Sequence, residues 1–147
     1  MIDRFERFSL VISEISRCWH KIAADEMEKY GLKGNHAVYL TTLYRFPEGI
    51  TAARLSELCC RDKADVSRMM SIMEKKALVV KVGSSYRAQL KLTDAGLEAA
   101  EHVRDRANIA VKNASRGLSE EKRAVLYEAL ELIMTNLQTI CEEGLPR

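Results

Sequence analysis

The sequence predicts a mainly α-helical protein with one small β-hairpin near its centre. Apolar residues recur every three to four positions along most of the 147 residues, which is the period of an amphipathic helix. The pattern changes to alternation only around 78–92, where it has the period of a strand. With two prolines and seven glycines, the chain has too few turn residues for a many-stranded β-sandwich. Its apolar runs also fall well short of the roughly 20 residues that a transmembrane helix needs.

The first thirty residues predict one long helix, which Gly31 and Gly34 interrupt. A second helix is expected from about Asn35 to Arg45, followed by a turn over Phe46–Gly49. The long first helix needs a partner because its apolar residues form a continuous stripe. The stripe contains Phe5, Phe8, Ile12, Ile15, Trp19, Ile22 and Met27.

Two capping residues start the next two helices. Thr51 is a suitable N-cap for a short helix that ends near Cys59, and Asp62 for a longer helix over Lys63–Lys76. A tight turn at Arg61 separates them. The inward side of the longer helix is expected to carry Val66, Met69, Met70 and Met73.

A β-hairpin follows, formed by two short runs on either side of Gly83–Tyr86. In the first run, Leu78, Val80 and Val82 alternate with Val79 and Lys81. We therefore expect one apolar and one basic face. In the second run, the apolar face carries Ala88, Leu90 and Leu92, and the other face Arg87, Gln89 and Lys91.

Two further helices complete the chain. Thr93 caps the first, which extends to about Ser115, and Asp94 is favourable at its positive end. Gly117 breaks it, and Ser119 caps the last helix. The last helix has an apolar stripe of its own, made of Val125, Leu126, Ala129, Leu132, Ile133, Leu137 and Ile140.

The centre of the chain, residues 51–93, is basic, with nine Lys or Arg residues and four acidic ones. A basic centre indicates an anionic partner, although a solvated basic surface has the same composition. A short helix, a tight turn and a longer helix can place the longer helix in the DNA major groove. Arg68 can then donate to guanine or phosphate, while Asp65 can accept from cytosine or hold Arg68 in place.

The other candidate DNA contacts share a position on the outward side of this motif or at the hairpin tip. Thr51 suits a phosphate contact at a helix N-terminus, and the tip can reach a minor groove. The full set is Thr51, Arg54, Lys63, Ala64, Asp65, Ser67, Arg68, Ser71, Ser84, Ser85, Tyr86 and Arg87.

Several stretches resemble the multiple-antibiotic-resistance regulator (MarR) family of winged helix-turn-helix repressors. The family's recognition helix is similar to Asp62–Met70, and its Leu-Thr-x-x-Gly step out of the wing is similar to Leu90–Gly96. The other similar stretches are Gly49–Ser56, Glu74–Val79 and Leu118–Glu121. The tip departs from the family pattern: Gly83–Arg87 has one arginine and no acid, which affects the reach of a minor-groove contact.

This resemblance implies a winged helix-turn-helix domain over 35–94 and a helical dimerisation region over 1–34 and 95–147. It also implies a homodimer that represses transcription from a pseudo-palindromic operator. The sequence supports dimerisation independently, because the long terminal helices would otherwise leave apolar stripes uncovered.

Family members are often released from DNA by a small aromatic or amphipathic effector, and others sense oxidants through a cysteine. Candidate effector contacts are Trp19, His20, His36 and Tyr39. For each of these residues an ordinary core or surface position is the stronger interpretation. Cys60 and Cys18 are the candidate redox residues, although simple packing is favoured over sensing.

Two alternatives to a ligand-responsive DNA-binding repressor stay open: a winged-helix module that binds protein, and a thiol-based redox regulator. An enzyme is not expected, because the three histidines have no catalytic or metal-site spacing and no P-loop or nucleophile elbow is present. No metal or other cofactor is expected. The charged N-terminus and the four cysteines without CxxC spacing predict a cytoplasmic protein with reduced thiols and no membrane partner.

Overall fold

The structure is a computed structural model that describes residues 3–83 and 87–147. Within them, the predicted mainly α-helical fold with a small sheet is confirmed. The tip residues Ser84, Ser85 and Tyr86, which were predicted to contact DNA, lie outside the described residues. The elements are α1 (Arg4–Glu28), a 3-10 helix (Gly34–His36), α2 (Ala37–Tyr44), β1 (Ile50–Thr51), α3 (Ala52–Cys59), α4 (Lys63–Lys75), β2 (Val79–Val82), β3 (Gln89–Leu92), α5 (Asp94–Ala114) and α6 (Glu120–Glu143).

The chain forms two compact units, Met1–Asn108 and Ile109–Arg147. The first contains the helix-turn-helix segment and the sheet, and the second contains the end of α5 and all of α6. The assignment of a DNA-binding domain to 35–94 and of dimerisation to the flanking helices stays a prediction.

Side-chain caps fix the starts of five helices, including α5, where Thr93 accepts from the Gly96 N–H. Thr51, Asp62 and Ser119 each accept a hydrogen bond from the backbone N–H three residues later, as their positions in the sequence predict. Asp3 does the same for α1. The predicted starts of α3, α4 and α6 are therefore confirmed at the level of single hydrogen bonds.

The core of the first unit is built around the inward side of α4. Val66, Met69, Met70 and Met73 are all buried, as predicted. They belong to one cluster with buried residues of the other elements of this unit. Among these are Met27 of α1, Tyr39, Leu40 and Leu43 of α2, Leu55 of α3, Leu90 of β3, and Ala99, Ala100 and Val103 of α5.

The sheet has three antiparallel strands in the order β1-β3-β2, whereas the sequence predicted only the β2-β3 hairpin. The strand β1 has two residues and pairs Ile50 with Leu90. A strand this short has no alternation to recognise, and it is defined only by hydrogen bonds to a distant partner. Its pairing joins the start of α3 to the hairpin.

The predicted apolar face of β2 was wrong. Val80 and Val82 are 45% and 50% exposed, while Val79 is buried. Val80 pairs with Lys91, so the two share the outer face, and Val79 pairs with Leu92 on the inner face. Ala77 has a left-handed φ of 57° just before the strand, and this turn leads into the buried pair Leu78 and Val79.

A close contact joins the sheet to the start of α5. The Thr93 hydroxyl donates to the Ala77 carbonyl at 2.6 Å and accepts from the Gly96 N–H at 3.1 Å. The backbone N–H of Thr93 donates to the Leu78 carbonyl at 3.0 Å. A Cβ at position 96 would lie 2.0 Å from that carbonyl oxygen, so only glycine permits this approach. The Leu-Thr-x-x-Gly pattern thus has a direct physical basis.

The long helices α1 and α6 expose most of their apolar stripes. In α1, Met27 is buried, but Phe5, Ile15 and Trp19 are 76%, 60% and 41% exposed. In α6 no residue is buried, and Leu132 is 62% exposed. The sequence predicted both stripes, and nothing in the described single chain covers them.

Gly96→Ala is expected to destabilise the protein by about 2 kcal/mol, because the added methyl group meets a fixed backbone carbonyl. In an ordinary helical position the same change stabilises by up to about 1 kcal/mol. Urea unfolding of both proteins measures the difference. Glu98→Ala, which alters an exposed residue of the same helix turn, is the control and should change stability by less than about 0.5 kcal/mol. A Gly96→Ala protein as stable as the wild type would contradict the close approach.

Candidate functional site

The helices α3 and α4 and the turn between them form a helix-turn-helix. Cys60 ends α3 in the left-handed conformation, with φ of 52°. The Ser56 hydroxyl donates to the Arg61 carbonyl at 2.5 Å, and the Arg61 N–H donates to the Ser56 carbonyl at 3.2 Å. These bonds hold the turn tight, and Asp62 then caps α4. The relative direction of the two helices is therefore fixed locally.

Burial of the inward side of α4 leaves its other side open to solvent. Five of the predicted DNA contacts are exposed there, which are Lys63, Ala64, Ser67, Arg68 and Ser71. Their residue types include donors for phosphate and base edges and a methyl group for thymine. The exposure of these five residues is as the sequence predicted, and their contact with DNA stays a prediction.

Asp65 differs from these five because it is half-buried. Its carboxylate accepts a hydrogen bond from the hydroxyl of Tyr39, a fully buried residue of α2, and pairs with the Arg68 guanidinium at 3.5 Å. The Tyr39 hydrogen bond is the main reason that the pKa of Asp65 lies below its usual value, and Arg68 and Arg61 act in the same direction. Burial and the adjacent carboxylate raise the pKa of Tyr39. Both shifts favour the protonation states that this hydrogen bond needs, which are an ionised Asp65 carboxylate and a neutral Tyr39 phenol.

The two predicted DNA contacts at the start of α3 already have partners within the protein. Thr51 uses its hydroxyl to cap the helix, and Arg54 pairs with Glu57 at 3.1 Å on an exposed face. Exposed pairs of this kind are weak, so Arg54 can exchange its partner for a phosphate. Arg87, next to the hairpin tip, is exposed.

A groove of about 340 Å³ lies between the start of α3, one edge of α4 and the sheet. Lys63 and Lys81 line it, with Ser67 between apolar residues of its floor. Lys81 was not among the predicted contacts, because the sequence pattern placed Val80 and Val82, and not Lys81, on the core-facing side of β2. Lys81 pairs with Leu90, so the two side chains lie on the same face of the sheet. A correct assignment of the faces of β2 would therefore have placed Lys81 in this groove. The remaining lining residues are Ala52, Ala53, Val66, Met70 and Leu90.

A second cavity, of about 260 Å³, lies between α1, α2 and α5. Of the four predicted effector contacts, Trp19 lines it. His20 is exposed and bonded to its own helix at Ser16, and Tyr39 points its hydroxyl to Asp65. His36 is half-buried, which lowers its pKa. The lining residues are Trp19, Ile22, Ala23, Glu26, Ala37, Val38, Thr41, Val103, Arg106 and Ala107.

Glu26 is the centre of the charge cluster at this cavity. Its side chain is 14% exposed and is contacted by Lys29 at 2.7 Å, His102 at 2.9 Å and Arg106 at 3.0 Å. These hydrogen bonds lower the pKa of Glu26 to about 2, and the largest effect comes from Lys29. Burial acts in the opposite direction but is outweighed. The cluster ties α1 to α5 at the cavity wall.

The cysteines occupy different environments. Cys59 is buried, which raises its pKa, and its thiol donates to Thr42 at 3.5 Å. The two redox candidates, Cys18 and Cys60, are exposed. Cys18 lies 3.6 Å from the Arg17 guanidinium, and Cys60 is the left-handed residue of the turn. Their oxidation chemistry stays a prediction.

Comparisons with known proteins identify the fold. No family model matches the sequence, and no curated protein matches it either. Solved structures match over nearly the whole chain. A MarR protein from Peptoclostridium difficile is 22% identical, with a TM-score of 0.82 over 95% of this chain and 94% of that one. A MarR transcriptional regulator from Methanosarcina mazei is 21% identical, with a TM-score of 0.79 over 95% and 94%.

The MepR–DNA complex of S. aureus is also similar, at 20% identity and a TM-score of 0.79 over 88% of this chain and 97% of that one. The chain therefore has a winged helix-turn-helix fold. More narrowly, it has the fold of the MarR family transcriptional regulators, as the sequence motifs predicted. Within the residues that the structure describes, no helix is both long and apolar enough to cross a membrane.

The Glu26 cluster predicts a specific acid sensitivity. Because the folded pKa of Glu26 lies below its ordinary value, its stabilising effect is complete above about pH 4.5 and is lost as the pH falls towards 2. Glu26→Gln is expected to cost on the order of 2 kcal/mol at pH 7 and progressively less below pH 4.5. Urea unfolding across this pH range, at one protein concentration, measures it.

The control for this prediction is Glu48→Gln, which alters an exposed carboxylate in a turn. This variant should lose stability in parallel with the wild type as the pH falls. If the stability of Glu26→Gln also fell in parallel with that of the wild type, ionisation of Glu26 would make no net contribution to stability.

Proposed function

We propose that this protein is a DNA-binding transcriptional regulator of the MarR family that acts as a homodimeric repressor. The observation that carries the proposal is the exposed side of α4, which presents donors, hydroxyls and a methyl group while its opposite side is locked in the core. A helix held in this way is a rigid element for reading base edges in a major groove.

The charges next to α4 support DNA as the partner. Lys63 and Lys81 line a groove beside Ser67, and Arg54 and Arg87 are also exposed. Such cations neutralise phosphates and release counterions, so they supply affinity, whereas Arg68 and the small polar residues of α4 supply specificity. The structurally similar MepR of S. aureus has been solved in complex with DNA, which supports DNA as the partner.

The homodimer is supported by the uncovered stripes on α1 and α6. Large apolar residues such as Phe5, Ile15 and Leu132 are more than half exposed in the single chain. Contiguous apolar surface of this kind marks an interface, and a two-fold symmetric one is the commonest solution. Two copies then present two α4 helices to half-sites about 10 bp apart on a pseudo-palindromic operator.

Relief of repression by a small ligand is supported by the cavity between α1, α2 and α5. Its lining is mainly apolar and includes Trp19 and the Glu26–Arg106 pair. This combination suits a small aromatic or amphipathic molecule whose polar group reaches the charged pair. The site joins the proposed dimerisation helices to α2, so a bound ligand can shift the DNA-binding segment.

A winged-helix module that binds protein is the alternative class, and a direct selection distinguishes the two. The protein is incubated with a random pool of duplexes at about 100 mM salt, and its mass is measured by light scattering on the same sample. Enrichment of a pseudo-palindrome by a dimer supports the proposal. A dimer that binds no duplex even at low salt contradicts it and favours the interaction module.

Arg68→Ala is expected to weaken operator binding and to relax the preference at one base position per half-site by about 1–3 kcal/mol. Repeating the selection with the variant measures this. The matched control is Arg17→Ala, which removes another exposed arginine that is paired with an acid three residues before it. Unchanged preferences in Arg68→Ala would remove the assignment of this residue to the DNA.

Ile15→Glu is expected to convert the dimer to a monomer at micromolar concentration, since it places a charge within the exposed stripe of α1. Operator affinity should fall at least about 100-fold with the loss of the second half-site. Sedimentation velocity and DNA titration measure the two effects. Lys21→Glu lies on the same helix outside the stripe and should leave both unchanged.

A further inference from the structure

Three residues form a continuous polar chain from the core of the first unit to the exposed side of α4. Tyr39 is fully buried in α2, Asp65 is in the first turn of α4, and Arg68 follows one turn later. The Tyr39 hydroxyl donates to one carboxylate oxygen of Asp65, and the Arg68 guanidinium lies 3.5 Å from the other. Both oxygens of this carboxylate thus have a partner within the protein.

The chain crosses from solvent to the interior over a short distance. The Arg68 side chain is 70% exposed, the Asp65 side chain 27%, and Tyr39 is fully buried. A phenol hydroxyl at such depth needs a partner, because water cannot replace the one that it has. Asp65 is therefore held from the inside, and it is less accessible to DNA than its neighbours on α4.

We propose that Asp65 is a positioning residue: anchored by Tyr39, it orients the guanidinium of Arg68 for base recognition and does not itself contact a base. This inference rests on the proposed function in one respect, the contact of Arg68 with DNA. It decides between the two roles that the sequence left open for Asp65, acceptance from cytosine and support of Arg68.

The geometry has a specific consequence for arginine. An exposed i,i+3 ion pair alone restrains an arginine weakly, since both side chains rotate freely. Here one partner cannot rotate, because the Tyr39 hydrogen bond and the half-buried position fix its carboxylate. Arg68 therefore loses less conformational entropy when it binds a base edge, which strengthens discrimination at that position.

Two variants separate the parts of the chain. Tyr39→Phe removes the hydroxyl and keeps the ring in the core. Asp65→Asn keeps an oxygen that accepts from Tyr39 and removes the charge that holds Arg68. The control is Tyr44→Phe, which removes a hydroxyl from the same helix that contacts Glu101 instead. A role in stability alone would lower the melting temperature and leave Arg68 and base preference unaltered.

The experiment has two readouts on the full-length protein. The first is the order parameter of the Arg68 Nε–H group in the free protein, measured by ¹⁵N relaxation and assigned by its loss in Arg68→Lys. The second is base preference in selection from random duplexes. We expect Tyr39→Phe and Asp65→Asn to lower the order parameter towards that of freely rotating arginines. Both should reduce, by about tenfold, the preference at the position that Arg68→Ala also flattens.

The outcomes are distinct. Unchanged Arg68 dynamics and preference in both variants overturn the proposal. So does a change of preference in Asp65→Asn at a position that Arg68→Ala does not affect, because Asp65 would then contact a base itself. If the wild type enriches no duplex, the proposed function fails, and the Arg68 order parameter still decides whether Asp65 positions this side chain.

Discussion

The burial of one side of α4 is the constraint on which the rest of this structure depends. Val66, Met69, Met70 and Met73 repeat with helical spacing, and all four are enclosed by the core of the first unit. Once this side is fixed, the opposite side of the helix faces solvent. The exposed set around Arg68 is therefore a consequence of packing. Methionine suits this role because its flexible side chain fills the irregular spaces between helices and a short sheet.

Glycine 96 imposes a second constraint, on the sheet. The Leu78 carbonyl contacts α5 where a side chain would stand, and Thr93 bonds to both sides of this junction. The base of the hairpin is thereby held against the start of α5. Short connections of this kind transmit the position of one element to the next, because neither the carbonyl nor the helix start can move alone.

The remaining features concern surfaces that the single chain leaves uncovered. The exposed stripes of α1 and α6 are costly in water, and their size explains why a second copy is the expected partner. The cavity between α1, α2 and α5 adds a ligand-sized apolar space beside the Glu26 cluster. The helix α2 lines this cavity and also carries Tyr39, which bonds to Asp65. It therefore connects the proposed effector site to the residue proposed to position Arg68.

The long helices, the caps Thr51, Asp62, Thr93 and Ser119, and the inward side of α4 follow from the sequence alone, because each depends on the local spacing of apolar and capping residues. The Asp3 cap and the separate 3-10 helix Gly34–His36 were not predicted. The sequence also predicted the exposure of Lys63, Ala64, Ser67, Arg68 and Ser71, but not that Asp65 is half-buried. Other features depend on contacts between residues that are distant in the chain. The strand β1 and the faces of Val80 and Val82 depend on pairing with β3, which is distant in the chain. The role of Asp65 depends on a phenol 26 residues earlier. Such contacts are set by how elements pack, and no local pattern records them.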